Sequence, residues 1–240
     1  MGYDYKKSRE TVINELTQKT KVSNAQSPKV EDLTFENGKR AGITACFVDI
    51  RNSTKLFSDN SETGDDKIAR LMRAFSGQII RIMRDKNYIH IGLQGDCVYG
   101  VFFTPNPKNI DEIFSMASQI NSFIKMLNEI LRQNNFEQIK VGIGLATGKD
   151  LIIKAGEKDS GINDVLFIGN AVVYASKNAS EANKSIKYPI IADSCFYQNI
   201  DDKKKELIKN ELTLFGRKVY AGDFVNSNME KWVNNGFKDN

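Results

Sequence analysis

Two aspartates carry the clearest chemistry in this chain. Asp49 closes the apolar run Ile43-Thr44-Ala45-Cys46-Phe47-Val48, and Asp96 opens the run Cys97-Val98-Tyr99-Gly100-Val101-Phe102-Phe103. An ionised carboxylate is rare at the end of a hydrophobic strand unless it is paired or binds a metal. Two such groups on neighbouring strands could hold Mg²⁺ or Mn²⁺ against a triphosphate, because hard cations take oxygen ligands and bridge to phosphate. The alternative for either aspartate alone is a cap on the chain after its strand, which Asn52-Ser53-Thr54 would suit locally.

Positioning the pair requires a particular order of elements. Ile43 to Asp49 reads as a strand. Residues 66–85 place Ile68, Leu71, Met72, Phe75, Ile79, Ile82 and Met83 three and four apart, as an amphipathic helix requires. Tyr88 to Leu93 and Cys97 to Phe103 read as strands joined at Gln94-Gly95-Asp96, a hairpin that presents Asp96. After Pro105 and Pro107 a second helical pattern runs through Ile113, Phe114, Ala117, Ile120, Ile124, Leu127, Ile130 and Leu131, and Val141 to Leu145 is the next strand. Strand, helix, strand, strand, helix, strand is the split βαβ order of a ferredoxin-like α+β fold, an antiparallel sheet with helices on one face. In that topology the Asp49 strand lies beside the Asp96 hairpin. A Gly-rich hairpin region (Gly148 to Phe167), a helix from Asn170 to about Ala182, a short strand at Tyr188 to Ala192 and segments at Leu212 to Phe215 and Val219 to Phe224 follow as αβ extensions. The chain therefore divides into a polar N-terminal arm (1–40, with a short helix over Ser8 to Leu16), one domain (41–225) and a tail (226–240).

Composition narrows the chemistry. At 240 residues, 40% hydrophobic and 27% charged, the chain has the make-up of a globular protein with a sizeable core. It has no apolar run of membrane-spanning length and no signal-like N-terminus, so a cytoplasmic location without membrane association is expected. The net charge of +4 is too mild to imply nucleic-acid binding, and Lys203-Lys204-Lys205 beside Asp201-Asp202 reads as a solvated face. Cys46, Cys97 and Cys195 lack metal-type spacing. A single histidine, His90, leaves little room for Ser-His-Asp or Cys-His catalysis or a histidine metal site. Carboxylate chemistry remains.

Phe47-Val48-Asp49-Ile50-Arg51-Asn52-Ser53-Thr54 resembles the Phe-x-Asp-Ile-x-Gly-Phe/Ser-Thr stretch of class III nucleotidyl cyclase catalytic domains, with Asn52 where Gly is usual. Gly95-Asp96 and Phe102 resemble that family's second metal strand. Val141-Gly142-Ile143-Gly144-Leu145-Ala146-Thr147-Gly148, followed by Gly169-Asn170-Ala171-Val172-Val173-Tyr174-Ala175-Ser176-Lys177, resembles its strand and Gly-Asn helix. The resemblance runs in unbroken order over roughly residues 40 to 225. It implies the class III cyclase fold and cyclisation of a nucleoside triphosphate, with the ribose 3′-hydroxyl attacking the α-phosphate and pyrophosphate leaving.

The same resemblance implies two Mn²⁺ or Mg²⁺ ions per site, held by Asp49, Asp96 and the backbone carbonyl of Ile50. It implies a homodimer with shared active sites. Lys177 stands where the family has a phosphate-binding Arg, and supplies charge without the bidentate fork; Val173 replaces the family's Asn. Arg217 and Lys218 lie in the segment where cyclases carry a phosphate-binding Lys, and Arg51 and Tyr174 are further pocket candidates. For Lys177, Arg217 and Lys218 the alternative is an exposed basic residue.

Gly92 and Leu166 occupy the positions where purine cyclases read the base, and neither can form the polar contacts such reading needs. That resembles the stand-alone pyrimidine cyclases of bacterial Pycsar anti-phage defence, which implies UTP as substrate and cyclic UMP as a messenger read by a separate effector protein. UTP over CTP rests only on uridylate cyclases being the commoner form in that branch. A cytidylate cyclase, a purine cyclase with an atypical pocket and an inactive nucleotide-sensing module are the alternatives. A diguanylate cyclase or polymerase palm would share the sheet, but the chain has no Gly-Gly-Asp-Glu-Phe stretch.

Overall fold

The central strand, β2 (Asn37–Ile50), is buried on both sides, which is why it reads as a nearly continuous apolar run rather than an alternating one. Cys46, Val48 and Ile50 enter one core, while Ile43, Ala45 and Phe47 enter another on the opposite face. The computed structural model describes residues 3–56, 62–158 and 160–238. The extreme ends of the arm (1–2) and of the tail (239–240) lie outside the described residues.

After the single helical turn α2 (Ser53–Leu56), two long helices cover the first face. In α3 (Glu62–Arg84), Leu71, Phe75, Ile79 and Met83 recur every four residues and are buried. In α4 (Pro107–Gln133), Asn106 caps the first turn by accepting from Asn109 N–H at 3.2 Å, and Pro107 sits where its missing donor costs nothing. Fully burying a side chain such as Phe75 contributes about 1.5–3 kcal/mol, so this face supplies much of the stability.

The sheet continues the expected order. β3 (Tyr88–Gln94), β4 (Cys97–Phe103), β2 and β5 (Val141–Gly156) are adjacent in the sequence β3-β4-β2-β5, all antiparallel, which is the ferredoxin-like core. β6 (Asn163–Ile168) forms a hairpin with β5. The sheet then extends through β7 (Ile190–Asp193), parallel to β5, to β9 (Arg217–Gly222) and β8 (Asn210–Leu214).

Helices lie on both faces rather than one. α5 (Asn170–Glu181) packs on the side opposite α3 and α4, against Ile43, Ala45 and Phe47. It comes close because the surfaces are small. A methyl group at Gly144 would lie 2.0 Å from the Ala175 carbonyl oxygen, and one at Gly142 would lie 2.2 Å from that of Ala179. Glycine on the strand and alanine on the helix therefore let backbone rest on backbone.

The first 40 residues contribute to this layer. α1 (Tyr5–Thr17) buries no residue, but β1 (Lys21–Asn24) pairs in parallel with the start of β2, and Leu33 joins the α5-side core. After α6 (Ser194–Asn199) and α7 (Asp202–Lys205), the chain ends in α8 (Ser227–Asn234) beside α4, where Phe224 stacks on Phe114 at 4.0 Å and Asn121 donates to the Phe224 carbonyl at 2.9 Å. Among the described residues no helix is long and apolar enough to cross a membrane.

Candidate active site

Asp49 is the penultimate residue of β2, and its side chain points to the α5 side, following Phe47. Register places it opposite Cys97 on one flank and Gly142 on the other. Because Gln94 pairs with Cys97, Gly95 and Asp96 form a two-residue turn, with Gly95 at φ +62° as a glycine-first hairpin turn requires. The hairpin therefore sets Asp96 beside Asp49.

The electrostatics record that proximity. Burial holds the Asp49 carboxyl above its usual range; Arg51 opposes this, and the negative charge of Asp96 adds to it. Cys97, between the two, has its thiol pushed up to about 12 by burial and then by Asp49, with a further contribution from Asp96, so it stays neutral. Among the described residues no group of three or more His, Cys, Asp and Glu side chains could hold a metal. Two converging carboxylates fit a divalent cation whose remaining ligands come from backbone carbonyls and substrate phosphates.

Arg51 faces Asp49. Its guanidinium bonds the Asp49 carboxylate, donates to the Asp49 carbonyl at 3.1 Å and to the Ser180 carbonyl of α5 at 2.7 Å, and is 8% exposed. Arg51, expected as a pocket residue, is engaged by the Asp49 carboxylate and the end of α5. Asn52 adopts φ +57°, a left-handed conformation that asparagine tolerates better than most residues. The departure from glycine at this position therefore keeps the backbone turn.

Arg217 and Lys218 lie at the opposite end of α5 from Asp49, whereas Lys177 stands three residues before Ser180, which Arg51 contacts. Lys177 is exposed on α5, with its ammonium 5.5 Å from the centre of the Phe215 ring and no ion pair among the described residues. Phe215 and Val173, one turn earlier on α5, are exposed apolar side chains beside it. Arg217 stacks at 3.6 Å over Tyr174, which occupies that pocket candidate, and its Nη2 is buried without a hydrogen-bond partner among the described residues. Lys218 pairs with Glu211 at 2.8 Å. Arg217 and Lys218 border a cavity of ≈ 820 Å³ at the N-terminal end of α5, which also contains Asp150 and Asp193. Arg51 and Asp49 sit at the other end of that helix.

The sequence reading missed two features. Lys184, after α5, is close enough to lower the Asp49 pKa. Tyr99 lies over Gly92 across the hairpin, while Leu166 is 46% exposed on β6. Single side chains that meet across strands leave no periodic signal.

Residues 36–187 match the adenylate and guanylate cyclase catalytic domain family. The chain is 38% identical over its full length to a uridylate cyclase of Treponema porcinum, covering 84% of that protein, and 28% identical to a uridylate cyclase of Gulbenkiania mobilis, covering 97% of it. The fold also resembles a class III adenylyl cyclase-like ATP-binding protein from Pseudomonas aeruginosa, with a TM-score of 0.72 at 17% identity over 95% of this chain and 48% of the other.

Proposed function

Since the chain belongs to the family of adenylate and guanylate cyclase catalytic domains, we propose that it converts UTP to 3′,5′-cyclic UMP and pyrophosphate. The observation that carries this reading is the convergence of Asp49 and Asp96 in a fold whose base-reading positions, Gly92 and Leu166, offer no polar side chain. Its full-length likeness to uridylate cyclases supports the choice of UTP.

The reaction forms a bond from the ribose 3′-oxygen to the α-phosphorus, breaks the bond to the bridging oxygen and releases the hydroxyl proton. Such a transfer needs alignment and charge neutralisation more than covalent help. Asp49, Asp96 and the carbonyl of Ile50 are the residues that would hold two Mn²⁺ or Mg²⁺ ions, which supply activation of the 3′-oxygen and neutralise the departing oxygens. Arg51 orients the Asp49 carboxylate and ties it to α5 through Ser180. Lys177 steadies phosphate charge, assisted by Arg217, whose buried Nη2 has no hydrogen-bond partner among the described residues, more readily than by Lys218, which is engaged by Glu211.

Lys177 acts on the partner subunit's aspartates. It is exposed and without an ion pair among the described residues, beside the exposed side chains of Val173 and Phe215, which suit a subunit interface. A two-fold homodimer then contains two equivalent sites. In a bacterial cytoplasm the cyclic product would serve anti-phage signalling through a separate effector.

Incubation with each of the four common NTPs and Mn²⁺, with products identified by mass, tests the chemistry. Cyclic UMP should dominate; dominant cyclic CMP overturns the choice of base, and dominant cyclic AMP or GMP overturns the pyrimidine reading. Mixing inactive Asp49→Ala protein with inactive Lys177→Ala protein should restore activity. A mixture that stays inactive although subunits exchange would rule out sharing.

A further inference from the structure

Along β4, residues on the Asp49 side alternate, so the next one after Cys97 is Tyr99, about 6.8 Å further on. Tyr99 pairs across the hairpin with Gly92. A Cβ atom on Gly92 would lie 2.5 Å from both Cζ and Oη of Tyr99, so the ring occupies the space where a side chain at position 92 would begin. Glycine at 92 is what admits the ring.

The ring is also fixed in place. It stacks on Phe47 of β2 at 5.1 Å with an interplanar angle of 13°, and its Oη lies 3.3 Å from His90 Nε2. The His90 ring is 6.0 Å from that of Phe167 on β6, the neighbour of Leu166. The only histidine of the chain thus joins β3, β4 and β6 beside Gly92, where the proposed function puts the base.

Resting on that pyrimidine reading, we propose that Tyr99 is the specificity-determining residue of the base subsite: its ring fills the room that a purine's second ring requires. A ring held by a stack, a hydrogen bond and a glycine beneath it yields little, because rigid packed surfaces exclude by shape. The phenol oxygen, with one hydrogen-bonding role taken by His90, keeps the other for the edge of a smaller base.

The test measures kcat/KM for UTP, CTP, ATP and GTP in wild type, Tyr99→Phe, Tyr99→Ala and Tyr99→Val, with folding monitored by circular dichroism. Tyr99→Phe keeps the ring and should keep the purine-to-pyrimidine ratio. Tyr99→Ala and Tyr99→Val should raise that ratio by about tenfold or more, the scale on which pocket size discriminates. Folded Ala and Val variants with an unchanged ratio overturn the role of Tyr99 and leave the pyrimidine reading intact. A wild type that prefers purines overturns that reading itself. If loss of the ring unfolds the chain, Tyr99→Trp decides: the added bulk should raise KM for UTP about tenfold, and an unchanged KM overturns the proposal.

Discussion

Helix α5 has buried or partly buried carboxylates near both ends, and the two ends satisfy them by different means. Near its N-terminus Asp150 accepts the N–H groups of Ala171 and Val172 at 3.3 and 3.4 Å, and Asp193 accepts those of Thr147 and Phe196 at 3.1 and 3.0 Å. Those donors belong to the backbone of regular elements and cannot turn away. Near its C-terminus the carboxylate of Asp49 has one hydrogen-bond donor among the described residues, the guanidinium of Arg51, and remains 29% exposed. A carboxylate saturated by amides is committed to structure. One held by a single side-chain cation, with a second carboxylate beside it, is open to exchange that partner for a metal.

Substitutions at the two ends should separate activity from stability. Asp49→Ala and Asp96→Ala should each lower cyclisation by more than about a hundredfold, exceeding the usual loss from an outer-shell partner, while the melting temperature changes little. Asp150→Ala should do the reverse. It should lose about 1–2 kcal/mol, the scale of a helix cap, and melt a few degrees lower, with the specific activity of folded protein retained. Activity assays beside thermal melts decide, and an active Asp49→Ala protein would remove the distinction between the two ends.

A smaller effect is expected at Arg51. Arg51→Gln takes a positive charge from Asp49 and weakens the tie to Ser180, so the carboxylate is less well oriented for a cation. Activity at saturating Mn²⁺ should fall roughly tenfold, as for outer-shell partners, and half-maximal activity should need more Mn²⁺. An unchanged metal titration would show that Arg51 does not position Asp49.

Much of this contrast was legible in the chain, for identifiable reasons. The run Ile43 to Asp49 predicted a strand ending in a carboxylate, and the connection Gln94-Gly95-Asp96, which the structure tightens to a two-residue turn by pairing Gln94 with Cys97, predicted the hairpin that brings Asp96 beside it. The helical spacing of Leu71, Phe75, Ile79 and Met83 located the covering layer. The face taken by α5 was not legible, because the glycines and alanines that permit its close approach say how near it lies and not on which side. β1 escaped notice because Lys21-Val22-Ser23-Asn24 is polar and pairs in parallel with residues 37–40. The extension of β5 to Gly156 was hidden by Lys149 and Asp150, whose carboxylate is satisfied by the α5 amides rather than by solvent. The pairing of Arg51 with Asp49 and the placing of Tyr99 over Gly92 are single contacts between side chains, which no periodicity encodes.

The smallest effect should appear in the pH dependence of stability at the committed end. Burial holds Asp193 above the ordinary aspartate value of about 3.9, and the N–H groups of Phe196, Thr147 and Cys195 offset this only in part. A carboxyl whose folded pKa exceeds its unfolded pKa favours the folded state while protonated. Its contribution is fully present below the unfolded value and is lost as pH rises through the folded one. Asp193→Asn retains an oxygen that can accept from Thr147 and Phe196 and removes the titration. Relative to wild type, the variant should therefore be at its best near pH 7 and lose that advantage as pH falls toward 4, over a range of about 1 kcal/mol, the scale of one hydrogen bond. Urea unfolding at several pH values measures the difference. If the advantage instead grew toward acid, the amides would outweigh burial at Asp193, and this carboxylate would be held as an anion like one that serves a cation.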